Sequence, residues 1–82
     1  MNTLYDKDEC SPDAFSAAHI LSKKEGKLVL LKNVEHEFNQ DSTEYYFAPN
    51  SNQFYKIEYS CGVYETLYEI TAQELQVELV GN

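Results

Sequence analysis

The first strongly patterned segment of the chain predicts a helix from Pro12 to about Lys24. Ser11 suits the N-cap position, and Pro12 suits the first helical position, where its missing N–H is no loss. Apolar residues recur at helical spacing along the segment, and Gly26 provides a left-handed residue to end it. Residues 1–10 have no comparable pattern and are expected to form a flexible arm.

The middle of the chain predicts an antiparallel meander. The apolar run in Lys27–Val34 indicates a central strand where the sheet begins, and the segments after it alternate or are rich in aromatic residues. Turn residues separate these segments at 39–42, 50–52 and 60–62, where Gly62 is expected to supply a positive φ. The predicted strands are Lys27–Val34, Glu44–Ala48, Phe54–Tyr59 and Val63–Ile70.

The C-terminal segment predicts a short helix. Thr71 and Glu74 have the spacing of a capping box, and Ile70 and Leu75 that of a hydrophobic staple. Residues 76–80 also alternate, so a strand there is the alternative. The predicted fold is α+β: an N-terminal helix, a three- to four-stranded antiparallel meander and a short C-terminal helix, in one domain over 11–82.

Charge changes the picture of function. The chain has 82 residues, 14 acids, 6 lysines, no arginine and a net charge of −8. Residues 1–32 carry five acids and five lysines, so the whole imbalance falls in 33–82. Such a half repels phosphates, which argues against direct nucleic-acid binding. The chain has no apolar run near the roughly 20 residues of a membrane span and no signal peptide, which predicts a cytoplasmic protein.

Candidate chemistry is sparse. The segment Glu35-His36-Glu37 crowds titratable groups, but a solvated strand end explains it better than a functional histidine does. Cys10 and Cys61 show no metal-ligand spacing with His19 or His36 and are expected to be free thiols. We therefore expect no enzyme activity, no metal and no cofactor.

The predicted strands interleave tyrosines with glutamates. A sheet with one helix-covered face exposes the other, so some of these tyrosines should reach solvent. Tyrosine is enriched at protein interfaces, and carboxylates around it steer a basic partner. The alternative is an acidic face that only keeps the protein soluble. The predicted partner-binding residues are Glu44, Tyr46, Glu58, Tyr64, Glu65, Tyr68 and Glu69.

These features predict a small acidic inhibitor or regulator, monomeric or homodimeric, that docks a basic protein surface. In size and charge the chain is similar to phage-encoded anti-defence proteins, including anti-CRISPR proteins and DNA mimics, although it carries no family motif. The natural target would be a nuclease or a nucleic-acid-guided complex. The alternatives are an immunity protein or antitoxin that neutralises a basic toxin and, from another class, a small enzyme or an accessory subunit.

Overall fold

The computed structural model describes residues 1–7, 16–36, 41–61 and 64–80. Over these ranges the chain forms one antiparallel sheet of five strands, in the order β1-β5-β4-β3-β2, and two helices. The elements are β1 (Asn2–Lys7), α1 (Ala17–Glu25), β2 (Val29–His36), β3 (Asp41–Ala48), β4 (Gln53–Ser60), β5 (Tyr64–Ile70) and α2 (Ala72–Val80).

The predicted fold class is wrong at the N-terminus, because a strand and not a helix comes first. Residues 2–7, expected to be an arm, form β1 and pair with β5 at the sheet edge. This pairing joins residues about sixty positions apart, so the local pattern could not reveal it. The sheet has five strands in place of the predicted three or four.

Helix α1 lies between β1 and β2, and its first turn has two caps. The N-cap is Ser16, whose Oγ accepts the His19 N–H at 3.1 Å, and Glu65 of β5 accepts the Ala17 N–H at 2.8 Å. The predicted N-cap Ser11 lies outside the described residues. The predicted end is confirmed: Gly26 has φ +79° and donates its N–H to the Ser22 carbonyl.

Each face of the sheet packs against one helix. We call the side covered by α1 the helix-1 face; its core contains Ala17 and Leu21 on Tyr55, Ile57 and Leu67. Successive strand residues point to opposite sides, so the neighbours of these residues form the helix-2 face. There Leu75 of α2 packs with residues such as Tyr45 and Ile70. The expectation of one uncovered face is therefore wrong, although each nine-residue helix covers only part of its face.

The predicted central strand is an edge strand. In β2, Val29, Leu30 and Leu31 are 42%, 51% and 42% exposed. A bulge between Leu30 and Lys32 sets three β2 residues against Tyr46 and Tyr45 of β3. An apolar run without alternation is typical of a strand buried on both faces, and here it fills an edge instead.

The C-terminal helix is confirmed. Thr71 Oγ1 accepts the Glu74 N–H at 3.1 Å, and Glu74 Oε1 accepts the Thr71 N–H at 3.0 Å, which completes the capping box. Ile70 and Leu75 share one buried cluster, as the staple spacing predicts. Neither described helix is long and apolar enough to cross a membrane.

Candidate functional site

The helix-2 face has an open end beside α2. The helix lies over Tyr45, Ile70 and their neighbours and leaves uncovered the end of the sheet where β3 begins and β4 finishes. A groove of about 270 Å³ lies there, which we call the acidic groove. It is lined by His36, Asp41, Ser42, Thr43, Glu58, Tyr59 and Ser60.

Strand register brings the polar side chains of the groove together. Asp41 pairs with His36 across β2 and β3, and Thr43 pairs with Glu58 across β3 and β4. Because side chains alternate with a period of two, Asp41 and Thr43 project on the same side as Glu58. The row continues outward through Thr66, whose hydroxyl donates to Asp6 at 3.2 Å.

One lysine lies among these carboxylates. Lys56 is 5% exposed, and its Nζ lies 2.8 Å from Glu78 and 3.1 Å from Glu58. The same nitrogen is 5.3 Å from the centre of the Tyr68 ring. Burial lowers the pKa of Lys56, but the hydrogen bonds to Glu78 and Glu58 outweigh it, so the pKa is raised and the lysine stays charged. The single charge of Lys56 balances one of the two charges of Glu58 and Glu78. Asp41 is not a partner of Lys56; its Oδ1 accepts the neutral Cys61 N–H at 3.0 Å.

Two carboxylates of the helix-1 face, Glu44 and Glu65, have structural partners. Glu44 accepts hydrogen bonds from the hydroxyls of Tyr46 and Tyr59, both at 2.9 Å. Burial first, and then the bond to Glu44, raise the pKa of Tyr46 to about 12. Glu65 caps α1 and lies 3.4 Å from Lys7 Nζ. These two acids hold the fold together, and the partners bonded to Glu44 are neutral hydroxyls that carry no balancing positive charge.

The seven predicted partner-binding residues do not form one surface. Four lie on the helix-1 face, and the other three lie on the helix-2 face, where only Glu58 lines the groove. The helix-1 set is Glu44, Tyr46, Glu65 and Glu69, and the helix-2 set is Glu58, Tyr64 and Tyr68.

Sequence reasoning missed Asp41, Thr43 and Asp6. Asp41 falls within the predicted turn at 39–42, and Asp6 within the predicted arm. The alternation of Asp41 with Thr43 and Tyr45 was the available signal, because it extends the predicted strand by three residues.

Other chemistry in the described ranges is limited. No three His, Cys, Asp or Glu side chains converge there as metal ligands. His36 Nε2 lies 3.5 Å from the Thr43 hydroxyl, at the limit of a hydrogen bond. Cys61 is an exposed free thiol. Its backbone has φ +55°, whereas the sequence predicts the positive φ of this turn at Gly62. Gly62, Glu37 and Cys10 lie outside the described residues.

No protein-family model, curated protein or solved structure matches this chain. The case for a function therefore depends on the geometry and charge of the chain itself.

Proposed function

We propose that this protein binds a basic surface of another protein through the acidic groove. The observation that carries the proposal is the juxtaposition of Asp41 and Glu58 with the hydroxyls of Thr43 and Ser60 on adjacent strands. Carboxylates and hydroxyls accept hydrogen bonds, and the ammonium of lysine and the guanidinium of arginine only donate them. A lysine or arginine side chain of the partner is therefore the natural occupant.

The charge of the whole chain supports a protein partner over a nucleic acid. A net charge of −8 on 82 residues repels phosphates and attracts basic proteins, which raises the rate of encounter. Glu44 strengthens this field because its bonded tyrosine hydroxyls are neutral. After the encounter, the carboxylates and hydroxyls of the groove supply the short-range hydrogen bonds that hold the partner.

In the cell this binding would block or regulate the partner. A phage-type anti-defence role, as an anti-CRISPR protein or DNA mimic, is one form of it, with a nuclease or a nucleic-acid-guided complex as target. An immunity protein or antitoxin that neutralises a basic toxin is the other form. A protein that the immobilised chain captures in low salt and releases in high salt can be identified, and whether it is a defence nuclease or a toxin distinguishes the two forms.

A direct test does not require the natural partner. Titration of ¹⁵N-labelled protein with a tetra-arginine peptide should shift amide signals at 41–43 and 58–61 and leave those of α1 unchanged. A tetra-glutamate peptide is the control and should shift none of them. Shifts spread evenly over both faces would contradict a defined groove and leave only a diffuse negative field.

A matched pair of variants, whose affinity for the captured partner is measured, locates the binding surface on this protein. Glu58→Gln and Glu69→Gln each remove one negative charge, but from opposite faces of the sheet. Glu58→Gln should weaken binding by roughly tenfold, the size of one charge-assisted contact, and Glu69→Gln by much less. Equal effects on affinity and on its salt dependence would mean that net charge alone drives binding and would overturn the groove.

A further inference from the structure

We infer that two copies of this protein pair through β2, edge to edge and antiparallel, to form one continuous ten-stranded sheet. Among the described strands β2 has only β3 beside it, so the outer backbone groups of its eight residues face away from the sheet. The prolines of the chain, Pro12 and Pro49, lie outside the strand, so none of its residues lacks an N–H. An exposed strand edge of this length is a template for another strand.

The side chains of β2 favour burial in such a pairing. Val29, Leu30 and Leu31 are consecutive and about half exposed, so both faces of the strand present aliphatic surface over its first three residues. The opposite edge, β1, ends instead in Asp6 and Lys7, which bond to β5. Contiguous exposed aliphatic residues on an edge strand are typical of an association site.

Charge identifies the occupant as a second copy in antiparallel orientation. Lys23, Lys24 and Lys27 precede the strand, and Glu35 lies near its end. Antiparallel pairing centred on Leu31 places this leucine of the two copies side by side and sets Lys27 of each copy opposite Glu35 of the other, and symmetry makes this contact twice. Parallel pairing would instead oppose like charges.

Approach along this edge also lowers the repulsion between two chains of charge −8. Residues 27–36 contain Lys27, Lys32 and Glu35, a net charge of +1, whereas the remaining residues carry −9. Two copies therefore approach most easily along β2. One strand pair with its flanking side chains is a small interface, so we expect a dissociation constant in roughly the micromolar range.

Sedimentation equilibrium from about 10 μM to about 1 mM tests the proposal, since weak dimers dissociate across this range. The wild type should shift from monomer to dimer with concentration. Leu30→Lys should remain monomeric, because it removes exposed aliphatic surface and sets a lysine opposite Lys32 of the other copy, and Leu30 is exposed enough for the change to leave the fold intact. Val77→Lys on α2 is the control: Val77 is 65% exposed, and this variant should dimerise like the wild type. Circular dichroism checks that each variant is folded.

A charge exchange tests the orientation. Lys27→Glu alone should weaken dimerisation by roughly tenfold, because acidic ends then meet twice, and adding Glu35→Lys should restore it. A wild type that stays monomeric at about 1 mM would overturn the proposal. So would equal loss of the dimer in Leu30→Lys and Val77→Lys, or a double exchange that fails to restore association.

Discussion

Replacing Tyr55 by phenylalanine removes one hydroxyl from the most buried polar contact of the helix-1 face. Tyr55 is 1% exposed, and its hydroxyl donates to the carboxylate of Glu25, which is 8% exposed at the end of α1. Asn50 Nδ2 donates to the Glu25 carbonyl at 3.0 Å, so the same residue also ties the helix to the β3–β4 turn. The substitution leaves the ring in place, so the change isolates the hydrogen bond.

The expected loss of stability is about 1.5–3 kcal/mol, the usual contribution of a hydrogen bond to a charged group. Glu25 keeps a side-chain hydrogen bond with Ser51, which places the expected value in the middle of that range. For a domain of this size each 1 kcal/mol shifts the melting temperature by roughly 4–8 °C, so we expect a decrease of about 9–18 °C.

The loss should depend on pH in a defined direction. The hydrogen bond from Tyr55 is the largest influence on the pKa of Glu25 and holds it below its ordinary value of 4.5. A carboxylate with a lowered pKa stabilises the folded state above the pKa of the unfolded chain, and this stabilisation is lost as pH falls through the folded pKa. The difference between wild type and Tyr55→Phe should therefore be full at neutral pH and shrink below pH 4.5.

Urea denaturation followed by circular dichroism measures both effects across this pH range. Tyr46→Phe is the matched control, because its hydrogen bond to Glu44 is only partly buried and Glu44 keeps the Tyr59 hydroxyl as a donor, so the loss should be about 0.5–1.5 kcal/mol. The reasoning fails if the two variants lose equal stability at neutral pH. It also fails if the Tyr55→Phe difference stays constant on acidification.

Three further outcomes follow from other contacts. Lys56→Met should destabilise the fold by about 1–3 kcal/mol in thermal unfolding, less than a fully buried ion pair, because its two glutamates remain partly exposed. Thr71→Ala should cost about 0.5–2 kcal/mol by loss of the α2 N-cap, and an unchanged urea midpoint would contradict the capping role. The protein should not shift labelled duplex or single-stranded DNA at physiological salt, and a micromolar complex would contradict the charge argument.

Local chemistry determined several elements from the sequence alone. The capping box of Thr71 and Glu74 and the positive φ of Gly26 depend on residues within a few positions, so their spacing was sufficient. Alternation in Phe54–Tyr59 likewise separated the residues of the two faces, since side-chain direction in a strand follows from backbone geometry.

Pairing between distant segments was decided only by the tertiary structure. The place of β1 beside β5 and of β2 at the edge depends on which strands meet, and many partners satisfy the same local pattern. The groove has the same origin, because Asp41 and Glu58 meet through the register of β3 with β4. The net charge of the chain could be read from its sequence, whereas which acids hold the fold and which line the groove depends on contacts such as those of Glu44 and Glu65.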